Sequence, residues 1–347
     1  MKYRILFQAC VAFLILSCTG REKTAVQESD VSSCFRTVFR GDSCTVITAA
    51  PDNSRTDSVS FVGSVRRIVC MSSTYVAALS ELGCDSTICG VSGIQYISSP
   101  EIHRRHDAGL VADVGSDANA DFERILSVHP DIVVTYFMPG TGEKFVSRLN
   151  SLGIPVLVLY DYLENSPLAR ASYIKVFGAL CRKTEKADSI FGEVCARYRH
   201  IADSVAASGA PVKKVLMNVP YAGAWYVPGG ENYMSRLVRD AGGEILGSVP
   251  GKTESSVISA EEALALSFDA DLWLHPGVYE SLDELHAVAP LSGIHVEPVY
   301  NNTLKMTSGG GNDFWESGAV RPDLILGDLA GIFAGKSSGF HYYRKLE

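Results

Sequence analysis

The sequence predicts an α/β protein of two Rossmann-like lobes with mainly parallel sheets, joined by a long interlobe helix and preceded by a β-hairpin extension. Three observations predict it. Short apolar runs alternate with amphipathic helical segments on both sides of residues 166–208, as strands and crossover helices do in parallel sheets. Residues 166–208 themselves read as a helical connector. Glu123, Leu126 and Asp131 ahead of one strand recur at the same offsets as Glu261, Leu264 and Asp269 ahead of another, so the two halves look like variants of one unit.

Lys2 and Arg4 precede an apolar run over residues 5–16, shorter than the roughly 20 residues that a spanning helix needs. It reads as a signal peptide over residues 1–18. The run ends in Ile15-Leu16-Ser17-Cys18, which resembles the lipobox of bacterial lipoproteins and makes Cys18 the expected lipidated residue. Residues 19–33 are polar and aperiodic, as a tether would be. Over 34–62, Val38 and Phe39, then Thr45, Val46 and Ile47, flank Arg40-Gly41-Asp42 as in a β-hairpin.

An N-terminal lobe is expected over 63–165. Ile68-Val69-Cys70-Met71 suits a buried strand and is followed by a helix that stops at Gly83. Val91 ends the next strand; a helix over 123–128 is broken by His129-Pro130 before the strand Ile132-Val133-Val134, and a helix closed by Gly153 leads into a strand over 155–159. In the connector, Ser166 can cap and Pro167 fits the first helical position. Leu168, Ala171, Ile174, Phe177 and Leu180, then Ala187, Phe191, Val194, Tyr198 and Val205, keep helical spacing. Polar Arg182-Lys183-Thr184-Glu185 interrupts them, and whether the helix continues through is left open. A C-terminal lobe over 209–347 repeats the pattern, with strands at 215–217, 272–274 and 296–300 and helices at 233–240 and 323–333.

A chain of 347 residues, 46% hydrophobic and 20% charged, can fill two cores. Its net charge of −8 argues against a nucleic-acid partner, which would require a basic face. Of nine cysteines, Cys10 and Cys18 belong to the export segment. Cys34 with Cys44, and Cys84 with Cys89, could bridge locally, Cys181 and Cys195 sit on the connector, and no C-x-x-C spacing occurs. There is no H-E-x-x-H or P-loop motif, so an enzyme is the weaker class and no catalytic residue is assigned. His103 and His106 enclose Arg104 and Arg105 in what reads as a polar loop, and no metal site is expected.

Aromatic residues instead gather where strands should end. Tyr96 follows the strand closed by Val91; Tyr136, Phe137 and Met138 follow Val134; Tyr221, Trp225 and Tyr226 follow Val219. A last loop, Gly309-Gly310-Gly311-Asn312-Asp313-Phe314-Trp315, adds more. Open α/β sheets bind ligands beyond the carboxyl ends of their strands, and π-faces with a few polar groups suit a large, partly apolar ligand. Tyr96, Tyr136, Phe137, Tyr221, Trp225, Tyr226, Asn312, Asp313 and Trp315 are therefore the candidate ligand-binding residues.

From about residue 67 to 334 the chain resembles the periplasmic substrate-binding proteins of ABC importers for iron chelates, haem and vitamin B12, whose lobes are joined by one long helix. The resemblance rests on Arg67-Ile68-Val69, Leu82-Gly83, Gly90-Val91-Ser92, Phe122-Glu123-Arg124-Ile125-Leu126, Pro130-Asp131-Ile132-Val133, Gly153-Ile154-Pro155-Val156 and Asp240-Ala241-Gly242-Gly243. Residues 161–177, with Pro167-Leu168-Ala169-Arg170, look like the Bacteroidetes-type version. The family docks one surface glutamate of each lobe onto permease arginines, which implies that role for Glu123 and Glu261. The B12-binding member has an acid and aromatics similar to Asp313-Phe314-Trp315. Its cleft tryptophan has no counterpart in 117–121, and the usual Thr-Glu of the first helix reads Val76-Ala77.

An anionic catecholate would call for convergent cations, for which Arg104, Arg105, Lys144 and Lys305 are the candidates. Haem could take Tyr96, Tyr136 or His103 as axial ligand. The resemblance thus implies a lipid-anchored periplasmic protein of a Gram-negative bacterium, with no resident cofactor. It would bind a metal chelate (ferric siderophore, haem or cobalamin) in the cleft between the lobes, and its partners would be an ABC permease and its ATPase. The alternatives are a binding protein for bare zinc or manganese, and an exported enzyme or chelatase on the same scaffold.

Overall fold

The short apolar runs of residues 63–165 form a five-stranded, all-parallel sheet in the order Ala112–Asp113, Ile88–Val91, Ile68–Cys70, Ile132–Tyr136, Val156–Leu159. All residues of Ile68–Cys70, Ile88–Val91 and Val156–Leu159 are buried, as strands covered by helices on both faces must be. This is a computed structural model, and it describes residues 26–138, 140–289 and 291–347. The signal peptide and Cys18 lie outside the described residues.

The second lobe carries the order Gly243–Ile245, Lys213–Met217, Leu272–Leu274, Val299–Asn301, Arg344–Lys345, parallel except for the last strand. That closing strand had no period-2 signal, being two residues long. A small antiparallel sheet of Pro220–Tyr221, Ala224–Val227 and Ser256–Ile258 is added beside it. The N-terminal hairpin is present and gains a third strand, giving a meander of Phe35–Arg40, Ser43–Ala49 and Thr56–Val62. Residues 26–33 do not hang free as a tether: Asp30 is buried and ion-paired with Arg199, and the Ser32 amide donates to Ser172 Oγ at 3.0 Å.

The connector is not one helix. It comprises Pro167–Ala171, Ile174–Leu180 and then Thr184–Ser208, broken where Arg182 takes φ +54°, a left-handed value that a continuing helix cannot accommodate. The spine proper is the 25-residue helix Thr184–Ser208, about 37 Å long at 1.5 Å per residue. Its head is held by the first lobe, where Lys186 Nζ donates to Leu82 O at 3.0 Å. Its later turns are held by the second, where Tyr198 Oη donates to Asp240 at 2.7 Å and Arg197 to Asp323 at 2.8 Å.

The internal repeat is real but two residues out of register with the sequence match. Asp131 accepts from the amides of Arg66 and Arg67 at 2.8 and 3.0 Å, and the residue doing the same for Lys214, at 2.8 Å, is Asp271 rather than Asp269. The helix of the second copy is longer, Ala260–Ser267 against Phe122–Ser127. Glu123 and Glu261 still correspond. Each is exposed in the first turn, two residues after an N-cap, Asp121 or Ser259.

Candidate functional site

In the second lobe the strand order reverses between Lys213–Met217 and Leu272–Leu274, the switch point at which open α/β sheets form a crevice. The next residue of each strand floors a hollow of about 410 Å³: Asn218 and His275, within the roughly 300–1,000 Å³ range of small-molecule sites. Both take left-handed backbone, φ +67° and +58°, a conformation uncommon outside glycine. Hydrogen bonds hold them there. Asn218 N donates to Leu274 O and His275 N to Tyr300 O, both at 3.0 Å, and Trp273 Nε1 donates to Asn218 O at 2.8 Å.

His275 is buried against Phe314, Trp315 and Tyr343, with Nε2 2.7 Å from Tyr343 Oη. Burial pushes its imidazole down to about 3, so it is neutral at physiological pH. The walls are Tyr221, Tyr226, Asn312 and Trp315. Tyr221 and Trp315 are 77% and 47% exposed, so their rings are available. Asn312 caps the short helix Asp313–Glu316 by accepting from Phe314 N at 3.1 Å, which turns Trp315 into the hollow. No lining residue carries a formal charge once His275 is neutral.

The two outer residues of that helix face another way. Asp313 and Glu316 line a second concavity of about 600 Å³ between the lobes, with Ser80, Glu81, Ser98 and Lys305. Glu316 is 3% exposed and accepts from the Ser98 amide of the first lobe at 2.7 Å. Burial raises its carboxyl to about 7, against the opposing pull of that amide. Between the two concavities the glycine loop touches the first lobe directly. A Cβ on Gly309 or Gly311 would stand 2.4 Å from Gln95 O or Tyr96 O, so only glycine permits this approach.

The expected residues are thus partly gathered. Tyr221, Tyr226, Asn312 and Trp315 share the hollow, Asp313 lines the neighbouring concavity, and Tyr96, 55% exposed, abuts Gly310 and Gly311 at its rim. Tyr136 and Phe137 lie on the first lobe. The Tyr136 ring is 6.3 Å from Tyr162, and Arg55 of the meander sits 4.7 Å over Phe137. Trp225 is a correction: it is 1% exposed, stacked 6.1 Å from Trp273, and donates to Met217 O at 2.9 Å. It is core, because alternation along Ala224–Val227 turns Trp225 inward and Tyr226 outward.

His103 and His106 lie on a helix, Pro100–Asp107, not a loop, and His103 Nε2 is 2.8 Å from Ile97 O. Arg104 pairs with Glu101, and Arg105 bonds Ser86 O. Of the four candidate cations, Lys305 alone lines either concavity. Among the described residues no three His, Cys, Asp or Glu side chains are grouped to hold a metal ion. Asn218 and His275 are not among the residues that the aromatic pattern singles out. The signal was available, since each directly follows an apolar strand run.

Two parallel-sheet lobes on a helical spine, with an uncharged aromatic hollow at a switch point, define a solute-binding protein. The chain belongs to the periplasmic binding protein family, whose model matches residues 68–286. It is accordingly a binding protein and not an enzyme, and its place is outside the cytoplasm. It is similar to an uncharacterized lipoprotein of Methanocaldococcus jannaschii, with 27% identity over 297 residues that cover 80% of this chain and 68% of the relative. Its fold is similar to a periplasmic binding protein from Veillonella parvula (16% identity, 84% of this chain and 98% of that one, TM-score 0.61). A periplasmic haem-binding protein from Pseudomonas aeruginosa is comparably similar (19% identity, 82% and 98%, TM-score 0.61).

Proposed function

We propose that this chain is a lipid-anchored solute-binding protein that captures a metal chelate, namely haem, cobalamin or a ferric siderophore, and delivers it to an ABC importer. The observation that carries this reading is the switch-point hollow, walled by Tyr221, Tyr226 and Trp315, floored by a neutral imidazole and free of formal charge. Such a surface favours a large, flat or macrocyclic ligand of low charge over a catecholate complex. Tyr96, Asn312 and Asp313 flank that ligand. The haem-binding relative supports the ligand class, and the archaeal lipoprotein supports anchoring through Cys18. Glu123 and Glu261, exposed at equivalent places on the two lobes, are the contacts for a permease dimer.

The test is to titrate the chain lacking residues 1–17 with haemin, cobalamin, a ferric hydroxamate and zinc, following tryptophan fluorescence. One of the chelates should quench saturably. Binding of zinc with none of the chelates would overturn the reading.

A further inference from the structure

Two cysteines far apart in sequence meet where the first lobe joins the spine. Cys84 closes the turn after the helix Ser73–Glu81, its amide donating to Leu79 O at 2.8 Å. Cys181 ends the helix Ile174–Leu180, its amide donating to Phe177 O at 2.9 Å, just before the break at Arg182. The two segments are pinned together without help from sulfur. Lys183 Nζ donates to Leu82 O and Gly83 O, both at 3.1 Å, and Lys186 Nζ donates to Leu82 O at 3.0 Å.

Both thiols are buried in the same core, Cys84 Sγ lies 3.8 Å from Leu82 O, the carbonyl that both lysines bind, and each thiol is among the groups that act on the other. The contact with Cys181, with Lys183 and Lys186 adding, lowers the Cys84 thiol in the fold. Cys181 is raised by the same contact and by burial. Pairings suggested by sequence spacing fail. Cys34 O accepts from Ala49 N, whereas Cys44 is five rungs along the same hairpin opposite Phe39. Cys89 packs in a different core cluster from Cys84.

We propose that Cys84 and Cys181 are joined by a disulfide in the exported protein, tying the first lobe to the head of the spine. The oxidant is a protein or small-molecule disulfide, as an extracytoplasmic compartment supplies. Cys84 thiolate attacks one of its sulfurs, forming a mixed disulfide and releasing one thiolate. Cys181, after losing its proton to solvent, attacks the Cys84 sulfur and expels the second. Two thiols give up two electrons and two protons, and the oxidant's disulfide becomes two thiols. Burial of both sulfurs places this exchange before the turn packs, while the chain is folding.

The test uses the full chain exported to an oxidising compartment and harvested without reductant, then acid-quenched, alkylated in denaturant and mapped by mass spectrometry. Cys84 and Cys181 should escape alkylation and appear as one linked peptide pair, lighter by two hydrogens than the reduced pair. Reduction should expose both and lower the unfolding midpoint by on the order of 5 °C, for a closed loop of roughly one hundred residues. That drop should vanish in Cys84→Ser/Cys181→Ser. Alkylation of both residues in the exported wild-type protein, or linkage of Cys84 to another cysteine, would overturn the proposal. The mapping stands even if the double variant fails to fold.

Discussion

Trp225 and Trp315 show what a residue's type could and could not say. Both are tryptophans close to strand ends, and the sequence placed both in the binding site. One is 1% exposed and the other 47%, because one lies on the inner face of a strand and the other on the second turn-face of a four-residue helix. Such burial facts emerge from register and capping, which short elements do not encode. Trp225→Ala should therefore destabilise by about 3–5 kcal/mol in denaturant unfolding, while Trp315→Ala should leave stability nearly unchanged. Glu316 makes a pH prediction. Its folded value of about 7 lies above the ordinary 4.5, so the protonated form is favoured in the fold; its contribution is complete below 4.5 and is lost as pH rises through about 7. Glu316→Gln should gain stability over wild type across that window, by roughly 3 kcal/mol at full effect, and should match it below. A constant offset at every pH would contradict this.

At the scale of elements, the connector was legible in its periodicity and capping, and illegible at its break. Arg182-Lys183-Thr184-Glu185 could equally be a polar helical turn. What decides it is tertiary: Arg182 bonds Gly63 O at 2.9 Å, and the two lysines reach back to the first lobe. The break lets Ile174–Leu180 lie against Thr184–Ser208. A Cβ on Gly178 would stand 2.6 Å from Ala187 Cβ, too near for any side chain. Gly178→Val is expected to cost about 1–3 kcal/mol or more, read as a lowered unfolding midpoint, whereas the same change at Gly192 is expected to cost only helix propensity. The helix Asp313–Glu316 and the strand Arg344–Lys345 were too short to leave any periodicity at all.

For the whole molecule, the alternation of apolar runs and helices announced two lobes, and the structure supplies them with different strand orders. The first lobe runs third, second, first, fourth, fifth, and the second lobe second, first, third, fourth, fifth. No local pattern distinguishes these orders, yet they place the switch point and hence the hollow. A helix anchored to both lobes favours small rocking over wide closure. Charge reversal at both Glu123 and Glu261 should leave ligand affinity intact and abolish uptake in cells. Equal loss of affinity would show that these carboxylates act on the binding site and not on a permease.

The switch-point hollow is the proposed seat of the metal chelate. Its most direct test is an equilibrium titration of whichever chelate binds, comparing wild type with Tyr221→Ala/Tyr226→Ala/Trp315→Ala. The three side chains are at the surface, so the variant should fold. Affinity should fall at least a hundredfold, equivalent to about 3 kcal/mol. Unchanged affinity in the folded variant would contradict it.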